Sequence, residues 1–341
     1  MLGQSLSMLV NHFLTSYLPK HKGASTHTIE SYASALKAFL KFLQRKKQLP
    51  ASLQDITAEN VLAFLEYLEA KRQISSSTRN ARLAAILSFH RYLYLMGYVD
   101  KNTFDRLRYI AFKRERIKVA SYLEVSEIEA ISMAVNYRTR DGFRDLTILK
   151  MLYNTGARAS ELADLRLSNL TLRDRHISIF GKGGKQRLCG IWQTTAAMLQ
   201  IYLASERRIP IRGYEDYLFI NQRRKPFTRF GIRDIVHRYA RKAAESCPSL
   251  RQKTVTPHTF RHTTGVHLVE AGVDLNTIRE WLGHAHISTT EIYTRSNLRI
   301  NRQALAKLEQ IDRKLFEEIV SSRKTSNLSS GTRHWLDSLE E

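Results

Sequence analysis

Apolar side chains recur at steps of three and four through the first hundred residues, and this rhythm commits that part of the chain to helix. Within residues 28–46, Ile29, Tyr32, Ala33, Leu36, Phe39, Leu40 and Leu43 fall on one face, with Thr28 the expected N-cap. A second helix is expected over 58–71, capped by Thr57, with Val61, Leu62, Leu65 and Leu68 inward. After the Ser75–Ser77 break a third passes through Leu83, Ile86, Leu87 and Tyr94 to Gly97, a natural stop. Lys71, Arg72, Arg79 and Arg82 gather near its start, either as a solvated face or as a surface for a polyanion.

The stretch 108–121 holds Arg108, Lys113, Arg114, Arg116 and Lys118 against one acid, Glu115, and reads as a basic interdomain linker. Beyond it, helical patterns at 126–135 and 142–153 precede the chain's one evident hairpin. There 176–180 alternates strictly, Gly181-Lys182-Gly183-Gly184 turns, and 187–191 returns. The expected divisions are therefore a helical domain at 1–107, the linker at 108–121, a mostly helical domain with a small antiparallel sheet at 122–310, and a C-terminal helix end and tail at 311–341. Residues 301–321 carry Leu305, Leu308, Ile311, Leu315 and Ile319 at helical spacing, an amphipathic helix.

Charge narrows the partner. Lys and Arg number 54 against 32 acids, a net of +22, and neutralising phosphates with such a surplus releases condensed counterions. An anionic membrane surface would attract it too. However, no apolar run approaches the ~20 residues that span a bilayer, and the first residues do not resemble a signal peptide. Cys189 and Cys247 form no metal or disulfide pattern. A reducing cytoplasm is the expected setting.

Four separated motifs carry the chemistry. In Thr155-Gly156-Ala157-Arg158-Ala159-Ser160-Glu161-Leu162, glycine stops a helix and Glu161 lies one turn from Arg158. A carboxylate so placed can hold the guanidinium and aim its free donors at a phosphate; a plain surface ion pair would look the same. Lys182 sits in a glycine-rich turn without the pattern of a nucleotide-binding loop, so alone it reads as a solvated lysine.

Thr256-Pro257 caps and starts a helix bearing His258 and Arg261 on one face, at an end that attracts anions. His258 and His262 have zinc-helix spacing, but Thr259 stands where the metalloprotease pattern needs glutamate and Arg261 lies between them, which argues against a metal. In the last motif Asp274 caps a helix ending at Gly283. His284 follows, and Ser288 with Glu291 starts a short helix holding Tyr293 and Arg295.

Together these supply two arginines, a lysine, two histidines and a tyrosine. Guanidinium groups stabilise the charge that builds on a cleaved phosphodiester without a metal. A tyrosine hydroxyl can attack phosphorus and store the bond energy as an ester, so rejoining needs no nucleotide cofactor.

The motifs TGARASEL, FGKGGKQR and HTFRHTTGVHLVEAGVDLNTIREWLGHAHISTTEIYTR, with the helical THTIESYASALKAFLKFL, resemble the tyrosine recombinase (phage integrase) family, especially Xer-like and transposon-borne members. They cover most of residues 25–300 in family order. The resemblance implies a helical SAM-like core-binding domain and a catalytic domain that clamp around double-stranded DNA at short, partly palindromic sites. It implies Tyr293 as nucleophile, Arg158 and Arg261 on the scissile phosphate, and Lys182 as acid for the 5′-oxygen. His258 would assist proton transfer at tyrosine, His284 would support the arginines, and Glu161 fills a supporting position. Arg79, Arg82, Arg114 and Arg116 are expected DNA contacts. A homo-tetramer, or a hetero-tetramer with a related recombinase, would pass the 301–321 helix between protomers. No cofactor is implied, and the setting is the bacterial nucleoid. Residues 187–193, RLCGIWQ, depart from the family's Val-Pro-Leu-like run, which leaves the local sheet open. A DNA-binding accessory protein, or a topoisomerase or telomere resolvase, are the other readings of the same residues.

Overall fold

The computed structural model describes residues 5–47, 50–114, 121–181 and 186–283. The chain divides into two compact units, Met1–Lys118 and Val119–Glu341. No helix among the described residues is long and apolar enough to cross a membrane.

The first unit is helical. Helix α1 (Leu6–His12) runs through a wide turn at Phe13–Tyr17 into α2 (Leu18–Lys22). Then follow α3 (Thr26–Lys47), α4 (Ala58–Arg72), α5 (Ser76–Leu95) and α6 (Lys101–Arg108). The apolar stripes meet in a core of Phe13, Leu36, Phe39, Phe64, Leu65, Leu83, Ile86 and Phe89. Each such side chain taken from water contributes about 1.5–3 kcal/mol.

Two local expectations fail. The α3 helix starts before Thr28, and Ser25 Oγ accepts the Thr28 backbone N–H at 3.3 Å, so the serine does the capping. In α4, Leu62 faces solvent while Val61, Phe64, Leu65 and Leu68 are buried. A step of one residue turns the helix by about 100°, which carries Leu62 off the stripe set by 61, 65 and 68. The other signals hold. Thr57 Oγ1 accepts from Asn60 N–H, and Gly97 takes φ +75 just past α5.

The second unit is built around α8 (Arg140–Thr155), which is buried on all sides. Around it lie α7 (Val125–Met133), α9 (Ala159–Ala163), α10 (Gln193–Ile201), α11 (Arg229–Ala243), α12 (Pro257–Glu270) and α13 (Leu275–Leu282). An antiparallel sheet of β1 (Leu170–Thr171), β2 (His176–Phe180) and β3 (Gln186–Gly190) takes the order β1-β2-β3. Its register sets Ile177 opposite Cys189 and Ile179 opposite Arg187. The two strands of the hairpin read from alternation are present on either side of residues 182–185, which lie outside the described residues.

Candidate active site

The site begins where α8 stops. Gly156 takes φ +59, and a Cβ there would meet Leu282 Cδ2 at 2.4 Å, so both backbone and packing require glycine. The chain then turns into α9 with Arg158 at its first edge. Glu161, one turn on, accepts the Arg158 backbone N–H on Oε2 at 3.0 Å and Arg158 Nη1 on Oε1 at 2.6 Å. A third group completes this cluster: Arg187 of β3 donates from Nη2 to Glu161 Oε2 at 2.6 Å. Burial alone would raise the Glu161 carboxyl pKa. The hydrogen bond and charge of Arg187, then the backbone and side-chain hydrogen bonds from Arg158, outweigh it and hold the group at about 2.

Helix α12 delivers Arg261. Thr256 Oγ1 accepts the Thr259 N–H at 3.2 Å and Pro257 takes the first helical position, as the sequence indicates. Arg261 does not share solvent with His258. Its side chain turns inward and donates Nη1 to Gly156 O at 2.8 Å and Nη2 to Leu282 O. These carbonyls end α8 and α13, and a cation there suits both helix dipoles. Burial, then the nearby Arg158 and Arg187 charges, bring Arg261 down to about 10, so it stays cationic near neutrality.

His258 is exposed at the first turn of the same helix. Partial desolvation, then Arg261, His262 and Arg158, push its pKa below the ordinary histidine value. A neutral imidazole beside two guanidinium groups is placed to accept a proton.

Asp274 caps α13, its Oδ1 accepting the Thr277 N–H at 3.0 Å, and Gly283 closes it with φ +67. The described chain thus ends one residue before His284. Lys182, His284, Tyr293, Arg116 and the 301–321 helix lie outside the described residues. Arg158, Glu161, His258 and Arg261 come together; Arg187 was missed in the sequence reading. Its signal was an arginine on the face of β3 that also carries buried Cys189, an inward position where a cation needs a carboxylate.

Of the expected DNA contacts, Arg79 is buried in the first unit, donating to Ala111 O at 3.3 Å with Glu69 at 3.7 Å. Arg82 reaches Ser34 O at 3.4 Å, and Arg114 is exposed. Asn80 brackets Lys113, accepting its N–H at 3.0 Å and donating to its carbonyl at 2.8 Å. The basic stretch therefore starts out bound to the first unit. Among the described residues no group of three or more His, Cys, Asp or Glu side chains converges as a metal site.

Comparison with known proteins agrees with this geometry. Residues 121–299 match the phage integrase family and residues 10–97 the phage integrase N-terminal SAM-like domain. The tyrosine recombinase XerD of Staphylococcus haemolyticus (strain JCSC1435) is 35% identical over 52% of this chain and 58% of its own length, a little over half of that relative. The integrase/recombinase-type protein y4rC of Sinorhizobium fredii (strain NBRC 101917 / NGR234) is 34% identical over 89% of this chain and 91% of its own. The Tn1549 transposon integrase, solved with a circular intermediate DNA, shares the fold with a TM-score of 0.64 at 18% identity, covering 89% of this chain and 100% of that one. With a family match over more than half its length and a relative of this identity along nearly all of it, the chain belongs to the phage integrase family, the tyrosine recombinases.

Proposed function

We propose that this protein is a site-specific DNA recombinase that cleaves and rejoins strands through a 3′-phosphotyrosine at Tyr293. The observation that carries this reading is the pairing of Arg158 and Arg261 around one buried carboxylate and two helix ends, with His258 on the same helical turn as Arg261. Two fixed cations suit a phosphodiester whose non-bridging oxygens gain charge during attack. His258 would take the tyrosine proton, Lys182 would protonate the leaving 5′-oxygen, and His284 would support the arginines. The substrate is double-stranded DNA with short, partly palindromic sites, and the net charge of +22 suits it. A homo-tetramer, or a hetero-tetramer with a related recombinase, would hold two sites. Head-to-tail passing of the 301–321 helix would close that ring. The work belongs in the cytoplasm, at the nucleoid, without a cofactor.

The test is Tyr293→Phe on a nicked suicide duplex in EDTA. Wild type should give a protein–DNA adduct that survives denaturant, while the variant binds the same duplex and gives none. An adduct of normal yield from Tyr293→Phe removes Tyr293 from the mechanism.

A further inference from the structure

Arg187 lies outside every role assigned above, yet it touches two of the segments that build the site. Its guanidinium binds Glu161. Its side chain also lies flat against Gly283, where a Cβ would stand 3.1 Å from Arg187 Cδ and 3.2 Å from Nη1. Arg187 is 5% exposed and spends its guanidinium on Glu161, whereas Arg158 on the other oxygen of that carboxylate is 41% exposed.

We infer that Arg187 is a positioning residue that cancels the charge of Glu161 and so leaves Arg158 as an exposed, uncompensated cation for the scissile phosphate, with the buried charge of Arg261 behind it. The inference rests on the recombinase reading above. Glu161 is needed to aim Arg158, since it holds both the backbone N–H and the guanidinium of that residue. With Arg158 alone, the carboxylate would neutralise the cation it orients and repel the incoming phosphate in a partly water-excluded site. A second guanidinium on the other oxygen separates the two effects. Glu161 then keeps its grip on Arg158, and its charge is met by a group that faces away from solvent. Three arginines against one acid leave a surplus of two. The planar fork suits this task because it satisfies one carboxylate oxygen while its edge packs on the Gly283 turn.

An ordinary buried ion pair would also destabilise the fold when cut, so the test must read charge and not only stability. A duplex site is first enriched from a randomised pool by wild-type protein and then made with a nick. Adduct formation is followed in a single turnover for wild type, Arg187→Met, Arg187→Lys and Arg187→Met with Glu161→Gln. Arg187→Met should slow cleavage about 100-fold while duplex affinity stays within about threefold, as befits a group that touches no phosphate. Adding Glu161→Gln should recover about tenfold of that loss, because it removes the charge Arg187 was cancelling. Arg187→Lys, which keeps the charge, should cleave within about tenfold of wild type.

A merely structural role predicts the reverse for the double variant, since it cuts one more buried bond. A double variant no faster than Arg187→Met, or an Arg187→Met cleaving at the wild-type rate, overturns the proposal. Should Arg187→Met not fold, Arg187→Lys decides it, and cleavage as low as that of Tyr293→Phe overturns it. Carbon-13 titration of the Glu161 carboxyl separates this failure from failure of the recombinase reading. An upward move in Arg187→Lys or Arg187→Met, in a protein whose wild type never forms an adduct, shows the pairing is real but the proposed reaction is wrong, and the inference falls with it.

Discussion

Two arginine–glutamate pairs, one in each unit, are built in opposite senses. In the first unit Arg79 is 7% exposed and its partner Glu69 26%; in the second, Arg158 is 41% exposed and Glu161 4%. Arg79 is turned into its own unit and donates to Ala111 O, while Glu69 also takes the Lys113 ammonium at 2.8 Å. That arginine serves the fold by fastening the segment after α6. Arg158 instead leans out over a carboxylate that the protein keeps dry, and donors not used by Glu161 face solvent. The same two residue types thus give a brace in one place and an anion-facing group in the other, depending on which partner is buried. Exposure alone does not suffice, since Asp145 also joins buried Arg144 to exposed Arg238. There a second acid, Asp141, binds Arg144 and Arg208, so the charges come close to balance.

The comparison is tested most strongly by removing each arginine. Arg158→Ala should lower single-turnover cleavage about 100- to 1000-fold, the size found when one donor to a developing charge is lost, with little change in thermal midpoint. Cleavage within about threefold of wild type would make Arg158 a surface ion pair and nothing more. Titration offers the next largest effect. Glu161 falls from an ordinary 4.5 to about 2 in the folded protein, so its stabilisation is complete above about pH 4.5 and lost as pH drops toward 2. At most about 3 kcal/mol is at stake. Chemical denaturation across that window should show the decline, and Glu161→Gln should flatten it.

Arg79→Met should act in the opposite way to Arg158→Ala. It removes the hydrogen bond from the buried Arg79 guanidinium to Ala111 O and its ion pair with Glu69, and should cost about 1–3 kcal/mol in denaturant unfolding. Cleavage per folded molecule should stay unchanged. Loss of DNA affinity with no loss of stability would restore Arg79 as a phosphate contact. The smallest effect concerns the exposed end of the series. Arg114→Ala with Arg116→Ala should reduce the slope of log affinity against log salt by about one to two units, equally on specific and random duplexes. An unchanged slope would leave these residues facing only solvent.

What the sequence by itself determined is the short-range part. Caps at Thr57, Thr256 and Asp274, the glycine stops at 156 and 283, and the alternation of β2 are each set within a few residues of chain, so they can be read in one dimension. Arg158 with Glu161 belongs to the same class, being one helical turn apart. Tertiary structure alone decided where the other long cations point. Arg261 turns inward for a carbonyl 105 residues away, and Arg187 for a carboxylate 26 residues away. Arg79 turns in for a main-chain carbonyl 32 residues away. A guanidinium on a flexible stem follows whichever acceptors the packed core leaves unsatisfied, because an unpaired buried acceptor or charge is costly. Those acceptors exist as a set only after the helices and the sheet have come together.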